Sequence, residues 1–91
     1  MAVWFDAKDP NETLDYDLDW SARLGTDTIS LSTWTRVSGD VTLGSQSSST
    51  TRTKIVLSGG TSGTTGELLN RITTVGGLIM DQTVKINILD R

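Results

Sequence analysis

The chain has 91 residues, a formal net charge of −3, and neither Cys nor His. A chain of this length is typical of one domain, and we expect residues 1–91 to form one. The lack of Cys excludes disulfides and zinc–thiolate sites, and the lack of His removes the commonest general base. Mild acidity disfavours binding to nucleic acid, and no apolar run approaches the roughly 20 residues of a membrane helix. The composition therefore indicates a small domain with no membrane or nucleic-acid partner.

The N-terminus predicts an arm rather than a targeting signal. Its first residues have neither the basic start nor the long apolar stretch of a secretory signal peptide, so we expect synthesis and retention in a cytoplasm, or release by lysis. Trp4 and Phe5 precede Pro10, outside the main strands. Either they pack as an edge strand on their own domain, or they dock on a neighbour, as exposed aromatic anchors do at interfaces. We therefore take residues 1–11 as an arm, with Trp4, Phe5 and Pro10 as a partner interface.

Alternating apolar and polar residues predict β-strands along most of the chain. The main strands are expected at 13–20, 26–35, 38–43, 51–57, 66–74 and 78–89, with a short one near 3–5. Residues 21–25 and 58–60 are interpreted as turns and 44–50 as a Ser-rich loop. Residues 67–72 also suit a helical turn by propensity, but the flanking Thr and Gly favour a strand. This spacing predicts an all-β fold, an immunoglobulin-like or fibronectin-III-like antiparallel sandwich of about seven strands, with an up-and-down barrel as the alternative.

One face of each predicted strand supplies the expected core. The uneven spacing between Leu31 and Trp34 indicates a β-bulge near residues 32–33. Trp20 and Trp34 are expected to fill the interior, as a buried Trp often does in sandwiches. The predicted core residues are Leu14, Tyr16, Leu18, Trp20, Ile29, Leu31, Trp34, Ile55, Leu57, Leu68, Ile72, Val84, Ile86 and Ile88.

Three carboxylates project from the other face of the first long strand. Asp15, Asp17 and Asp19 could together hold Ca²⁺, which takes six to eight oxygens. The spacing does not fit an EF-hand, because Trp20 occupies the position of its Gly and Thr26 that of its Glu. We prefer a solvated strand face whose charges discourage edge-to-edge aggregation, and predict neither metal nor cofactor.

Catalytic motifs do not emerge from the sequence. The Gly-rich stretch 59–66 superficially suggests a phosphate-binding loop, but it lacks the Lys of a Walker motif. Ser residues are plentiful and have no His partner, and Lys8, Lys54 and Lys85 lie in no recognisable Ser–Lys motif. We therefore expect no enzyme and assign no catalytic residue.

Several short motifs, taken in order, carry a resemblance that covers nearly the whole chain. They are Lys8-Asp9-Pro10, Leu14-Asp15-Tyr16, Asp19-Trp20-Ser21, Asp27-Thr28-Ile29, Ser32-Thr33-Trp34, Leu57-Ser58-Gly59-Gly60-Thr61, Asn70-Arg71-Ile72-Thr73-Thr74, Gly76-Gly77 and Asp81. In this order the chain resembles the small fiber-tail adaptor proteins of tailed phages. Relatives tend to open the strand before Asn70 with Tyr, whereas this chain has Gly66, so a tyrosine-corner contact would be missing there.

The resemblance implies a virion structural protein with an immunoglobulin-like fold. Such a protein is made in the host cytoplasm, lies in the neck or tail region in several symmetry-related copies, and joins tail and fiber components. Its partners are other phage structural proteins, and the family supplies no catalytic residue to carry over.

Two other functions suit the same fold. One is a capsid decoration protein, which would be present at far higher copy number. The other is a carbohydrate-binding module for the host surface, which would need exposed aromatic side chains. Only Trp4 is free for that purpose on the predicted strand pattern, so we favour the adaptor.

Overall fold

The computed structural model describes residues 2–3 and 8–90, and this part of the chain is all-β with one short helix. The elements are β1 (Ala2–Val3), β2 (Leu14–Asp19), α1 (Ser21–Leu24), β3 (Ile29–Ser38), β4 (Val41–Ser48), β5 (Arg52–Gly59), β6 (Thr64–Thr74) and β7 (Ile79–Ile88). They form two sheets, one in the order β1-β7-β6-β3 and the other in the order β2-β5-β4. β1 pairs with β7 in parallel, and the other paired strands are antiparallel. No helix in these residues is long and apolar enough to cross a membrane.

Alternation along the strands explains which face of each sheet is buried. In β5 the side chains of Thr53, Ile55 and Leu57 are buried, while those of Arg52 and Lys54 are exposed. A strand points successive side chains to opposite faces, so one face joins the core and the other meets water. The antiparallel strands predicted from this pattern are therefore present, although their ends differ by a few residues.

The core lies between the two sheets and has two parts. The larger cluster draws on five strands and contains Trp34, Val41, Ile55, Leu57, Leu68, Ile86 and Ile88, with Tyr16, Leu18 and Leu43 packed against it. The smaller cluster contains Trp20, Leu24, Ile29 and Ile72, with Leu18 and Met80 against it. Of the remaining predicted core residues, Val84 is buried and Leu14 is half-buried. Both sheets therefore share one hydrophobic interior.

Leu31 is exposed, which corrects its assignment to the core. Its relative exposure is 59%. Ile29 pairs with Thr74 and Leu31 with Thr73, so two residues of β3 span one residue of β6. This bulge turns Leu31 to the outer face and keeps Trp34 inward. The predicted bulge near 32–33 was therefore placed slightly too late in the chain.

The predicted Ser-rich loop at 44–50 is wrong, because β4 extends through Ser48. Gln46, Ser47 and Ser48 pair with β5 after a register shift that follows Leu43. The Gln46 side-chain oxygen accepts a hydrogen bond from the Trp34 backbone N–H at 3.2 Å. Uncharged Ser and Gln occur in exposed edge strands as well as in loops. Composition alone therefore did not show that residues 46–48 continue the strand.

The predicted turn at 21–25 contains the helix α1. Gly25 closes it with φ of 63°, a left-handed conformation that favours glycine. Trp20 lies at the start of this helix instead of inside β2, and its side chain is buried. The alternative helical interpretation of 67–72 is wrong, since these residues lie within β6.

Candidate functional site

The N-terminal segment is fastened to the last strand at Lys8. The Lys8 N–H donates to the Asn87 carbonyl at 2.9 Å, and the Leu89 N–H donates to the Lys8 carbonyl at 2.9 Å. The side chain is fully buried, and its ammonium donates to the carbonyls of Gly59 at 2.7 Å and Asp9 at 2.8 Å. Burial lowers the pKa of Lys8, and the charges of Glu12 and Asp9 oppose that shift. Lys8 is therefore an anchor of the segment.

Pro10 lies in a turn directly after this anchor and is half-buried. The Glu12 N–H donates to the Asp9 carbonyl at 3.0 Å, and the Asp9 N–H donates to the Glu12 carboxylate at 2.9 Å. Pro suits this turn because its φ is already fixed near the required value. Trp4 and Phe5, the other two predicted interface residues, lie outside the described residues.

The acidic face of β2 is matched by basic residues on β5. Asp17 and Asp19 lie 3.2 Å and 3.4 Å from the Arg52 guanidinium, and Asp15 lies 3.3 Å from the Lys54 ammonium. All five side chains are exposed, so these ion pairs add little to stability. They place opposite charges next to each other across β2 and β5, which avoids repulsion between like charges. The described residues contain no group of three metal-ligating side chains. The arrangement is a cross-strand ladder of ion pairs.

A shallow polar depression adjoins this ladder. It is lined by Asp17, Ser47, Ser48, Ser49, Arg52, Thr53 and Lys54. The Arg52 guanidinium already contacts two carboxylates, and Lys54 contacts a third. The depression therefore presents hydroxyl groups and compensated charges.

A buried polar network centred on Asn70 ties the two sheets together. The Asn70 side-chain oxygen accepts from the Trp20 indole N–H at 3.0 Å and the Thr53 hydroxyl at 2.6 Å. Its amide nitrogen donates to the Ser32 hydroxyl at 2.9 Å and the Thr33 carbonyl at 3.1 Å. The motif residues around Trp20, Ser32 and Asn70 thus meet in the interior. These residues, distant in sequence, are joined by hydrogen bonds in the folded chain.

The outer face of the larger sheet carries a second charged group. Arg71 contacts the Asp81 carboxylate through two nitrogens, at 2.8 Å and 3.0 Å. Arg23 donates to the Asp81 carbonyl at 2.9 Å, and its guanidinium lies 5.0 Å from the centre of the Trp20 ring. The Arg71 guanidinium lowers the pKa of Asp81. These contacts hold the Arg71 guanidinium and the Asp81 carboxylate against each other on this face of the sheet.

Apolar side chains are exposed where β6 turns into β7. Val75, Leu78 and Ile79 are 70%, 59% and 66% exposed, and Leu31 of β3 is 59% exposed. The predicted strand pattern did not indicate this surface, because it assigned Leu31 to the core. Only the strand order, which places β3 and β7 on either side of β6, brings them together.

Asp27 holds this turn in place. Its carboxylate accepts from the N–H groups of Thr28 at 2.8 Å and Gly76 at 3.0 Å. A hydrogen bond from the Thr74 side chain, followed by those from the two N–H groups, lowers the pKa of Asp27. Asp27 therefore stabilises the fold above its unfolded-state pKa of about 3.9, and that contribution is lost as pH falls through the lower folded-state pKa.

Replacing Asp27 with Asn should lower the melting temperature at neutral pH. The difference from the wild type should shrink at a pH of about 3, because this lies below the unfolded-state pKa of about 3.9 and the stability supplied by the lowered pKa is being lost there. Thermal unfolding followed by circular dichroism at both pH values measures this. Asp90→Asn, which removes an exposed carboxylate near the C-terminus, is the control. If Asp27→Asn lowered the melting temperature equally at both pH values, the stabilising role of the Asp27 carboxylate would be contradicted.

Comparison with known proteins identifies the family. The family model described as podophage GP4 fiber-tail adaptor protein gp77 matches residues 8–87. No curated protein matches the chain. The family consists of phage structural adaptors, which are virion components and not a class of enzymes. The match begins at the buried Lys8 and ends at Asn87, whose backbone accepts from it. The chain therefore belongs to the podophage fiber-tail adaptor family.

Proposed function

We propose that this protein joins tail or neck components to fiber components of a phage through protein–protein contacts. The observation that carries this proposal is the family match over residues 8–87. The geometry supports this proposal, because the motif residues Trp20 and Asn70 are buried and hydrogen-bonded to each other in the interior. The outer faces and edges of the two sheets are left for binding.

The fold we propose is an immunoglobulin-like sandwich. With β2 to β7 taken as strands B to G, the sheets have the orders B-E-D and G-F-C, which are those of immunoglobulin domains. Trp34 is buried on β3, the strand on which these domains bury a Trp. The Trp20–Asn70 hydrogen bond joins the end of β2 to β6, the two strands that a disulfide links in antibody domains.

The contacts we propose involve the N-terminal arm and several symmetry-related copies. In the sequence, Trp4 and Phe5 come after Val3, which pairs with Lys85, and before Lys8, which pairs with Ile88. With Pro10 they would anchor a neighbouring tail or fiber protein, as aromatic residues do at interfaces. The assembled position is the tail or neck region, after synthesis in the host cytoplasm, without contact to nucleic acid or membrane.

The carbohydrate-binding alternative loses support from the positions of the aromatic residues. Trp20 and Trp34 are buried, and Tyr16 is half-buried against the core. The Trp20 and Trp34 rings cannot stack on a sugar without unfolding. The capsid decoration alternative differs from the adaptor chiefly in copy number.

Quantitative mass spectrometry of purified phage particles tests the proposal. We expect a copy number equal to that of the portal protein or a small multiple of it. A count near that of the major capsid protein would indicate decoration, and absence from particles would refute the virion role. The double variant Trp4→Ala/Phe5→Ala should reduce incorporation if the arm is an anchor. Deletion of 1–9 is a poorer test, because it also removes the buried Lys8.

A further inference from the structure

We propose that the contact made by Lys8 opens and closes while the two-sheet sandwich stays folded. We call this contact the Lys8 clamp and define it as Lys8 with its hydrogen-bonding partners Asn87, Leu89 and Gly59. The main chain of Lys8 donates to the Asn87 carbonyl and accepts from the Leu89 N–H, both at 2.9 Å. Its ammonium donates to the Gly59 carbonyl, at the end of β5, at 2.7 Å. The clamp therefore joins Lys8 to both sheets through polar contacts.

The hydrophobic core does not depend on a closed Lys8 clamp. Every described member of the two hydrophobic clusters lies between Tyr16 and Ile88 in the chain, after Lys8. Opening of the clamp takes Lys8 out of a buried position, but it removes no described cluster member from the interior. Regions with few apolar contacts are those that open locally in a folded protein. The clamp should therefore open at a lower free energy than the sheets.

The buried charge of Lys8 makes opening less costly than it would be for an apolar side chain of the same length. The side chain is fully buried, so its ammonium has lost its hydration. Burial lowers the pKa of Lys8, and attraction by Glu12 and Asp9 offsets that shift only in part. The ammonium regains water when the clamp opens, and the Asp9 carbonyl keeps the Glu12 N–H as a donor. The closed and open states are therefore closer in free energy than the complete burial of Lys8 alone would indicate.

The Lys8 clamp lies within the segment that we propose as the partner anchor. Trp4 and Phe5 precede Lys8 in the sequence, and Pro10 follows it. An open clamp would let a neighbouring tail or fiber protein take up this segment without unfolding of the sheets. This consequence rests on the proposed function, whereas the opening itself is a property of the free chain.

Native-state hydrogen exchange of the free chain, followed by NMR, tests the inference. The Lys8 N–H reports on the clamp, and the Gly63 N–H, which donates to the Ile88 carbonyl at 2.7 Å, reports on the same end of β7. If the clamp opens alone, the Gly63 hydrogen bond survives. After correction for intrinsic rates, we expect the Lys8 N–H to exchange several-fold faster than the Gly63 N–H. Its rate should also be insensitive to low urea concentrations, because a local opening exposes little surface.

Lys8→Met tests the part played by the charge. Met keeps an unbranched side chain and removes the ammonium, so we expect the N–H of residue 8 to exchange several-fold more slowly in this variant. Lys54→Met, which alters an exposed Lys on β5, is the control and should leave the rate at residue 8 unchanged.

Two outcomes would overturn the inference. Equal protection of the Lys8 and Gly63 N–H groups in the unmodified chain would mean that the clamp opens only together with the end of β7. Equal or faster exchange in Lys8→Met would mean that the buried charge does not favour opening. The first comparison needs no variant, so it decides the matter even if Lys8→Met does not fold. The copy number in phage particles is a separate measurement, so this inference and the proposed virion role can each fail alone.

Discussion

Replacing Asn70 with Leu should lower the free energy of unfolding by about 3 kcal/mol, because several buried polar groups lose a partner at about 1–3 kcal/mol each. The Ser32 hydroxyl and the Thr33 carbonyl both lose the donor that Asn70 supplies. Trp20 keeps only its longer contact, at 3.3 Å, to the Thr53 hydroxyl. Leu is close to Asn in size, so the loss comes mainly from unpaired groups and less from a cavity.

Urea denaturation of both proteins measures this loss. Asn87→Leu is the matched control, since Asn87 is exposed and its side chain accepts from the Thr65 hydroxyl at the surface. Surface substitutions of this kind usually change stability by within about 0.5 kcal/mol. Equal effects of Asn70→Leu and Asn87→Leu would contradict the role of the buried network.

Thr53→Val provides a further check on the same network. It removes the hydroxyl that donates to the Asn70 side chain at 2.6 Å. In the double variant Asn70→Leu/Thr53→Val, two partners are lost together, so the combined cost should be smaller than the sum of the single costs. Strict additivity would mean that the two residues act independently.

The fold was largely predictable because the chain follows simple alternation. Ile55 and Leu57 on β5, and Val84, Ile86 and Ile88 on β7, repeat every second residue and are buried. Such a pattern places one face of the strand in the core and the other in water, which is typical of antiparallel strands. Asn70 was harder to interpret, although it shares the inward face of β6 with Leu68 and Ile72. An inward polar residue between two apolar ones is the signal that predicts a buried hydrogen-bonding group.

The bulges limited the prediction of which face each residue occupies. Ser30, Ser32 and Thr33 fit either face of β3, so the sequence does not specify where an extra residue enters the strand. The consequence is local but large, since one added residue turns Leu31 outward. The same ambiguity hid the second half of β4, where Ser and Gln pair as an edge strand.

The exposed apolar surface formed by Leu31, Val75, Leu78 and Ile79 was not predictable from local pattern at all. Leu31 is far from Leu78 and Ile79 in sequence, and each alone is an ordinary apolar residue of a strand or turn. They share a surface only because β6 lies between β3 and β7. The family, in contrast, was indicated by a resemblance spread over many motifs, most of which contain at least one buried residue.

Gly66 of β6 lies where the turn between β3 and β4 comes close to the larger sheet. The ideal Cβ position at Gly66 lies 3.4 Å from Ile86 and 3.6 Å from Val41, both in side-chain contact. Gly39, in the turn between β3 and β4, approaches its backbone on another side. An added Cβ at Gly66 would make only ordinary van der Waals contacts with these side chains, so the tight approach at this place is that of Gly39 to the Gly66 backbone.

That close approach predicts a large cost for Gly39→Ala. Gly39 has φ of 88°, and an added Cβ would lie 2.9 Å from the Gly66 Cα, closer than real side chains come to a backbone atom. The left-handed conformation alone costs about 1–2 kcal/mol for Ala. The clash adds to it because backbone must move, so we expect a total of about 3 kcal/mol, within the range that strained or overpacked sites show.

Gly77→Ala separates the two contributions to this cost. Gly77 has φ of 89°, nearly that of Gly39, but no atom outside its immediate neighbours lies within 4 Å of an added Cβ. It should lose only the conformational part, about 1–2 kcal/mol. Urea denaturation of the two variants measures the difference between their losses in the free energy of unfolding. That difference is the cost of the clash between an added Cβ at Gly39 and the Gly66 backbone. Equal losses would mean that the turn between β3 and β4 moves away from Gly66 at no cost. The close approach of this turn to β6 would then not limit which residues fit there.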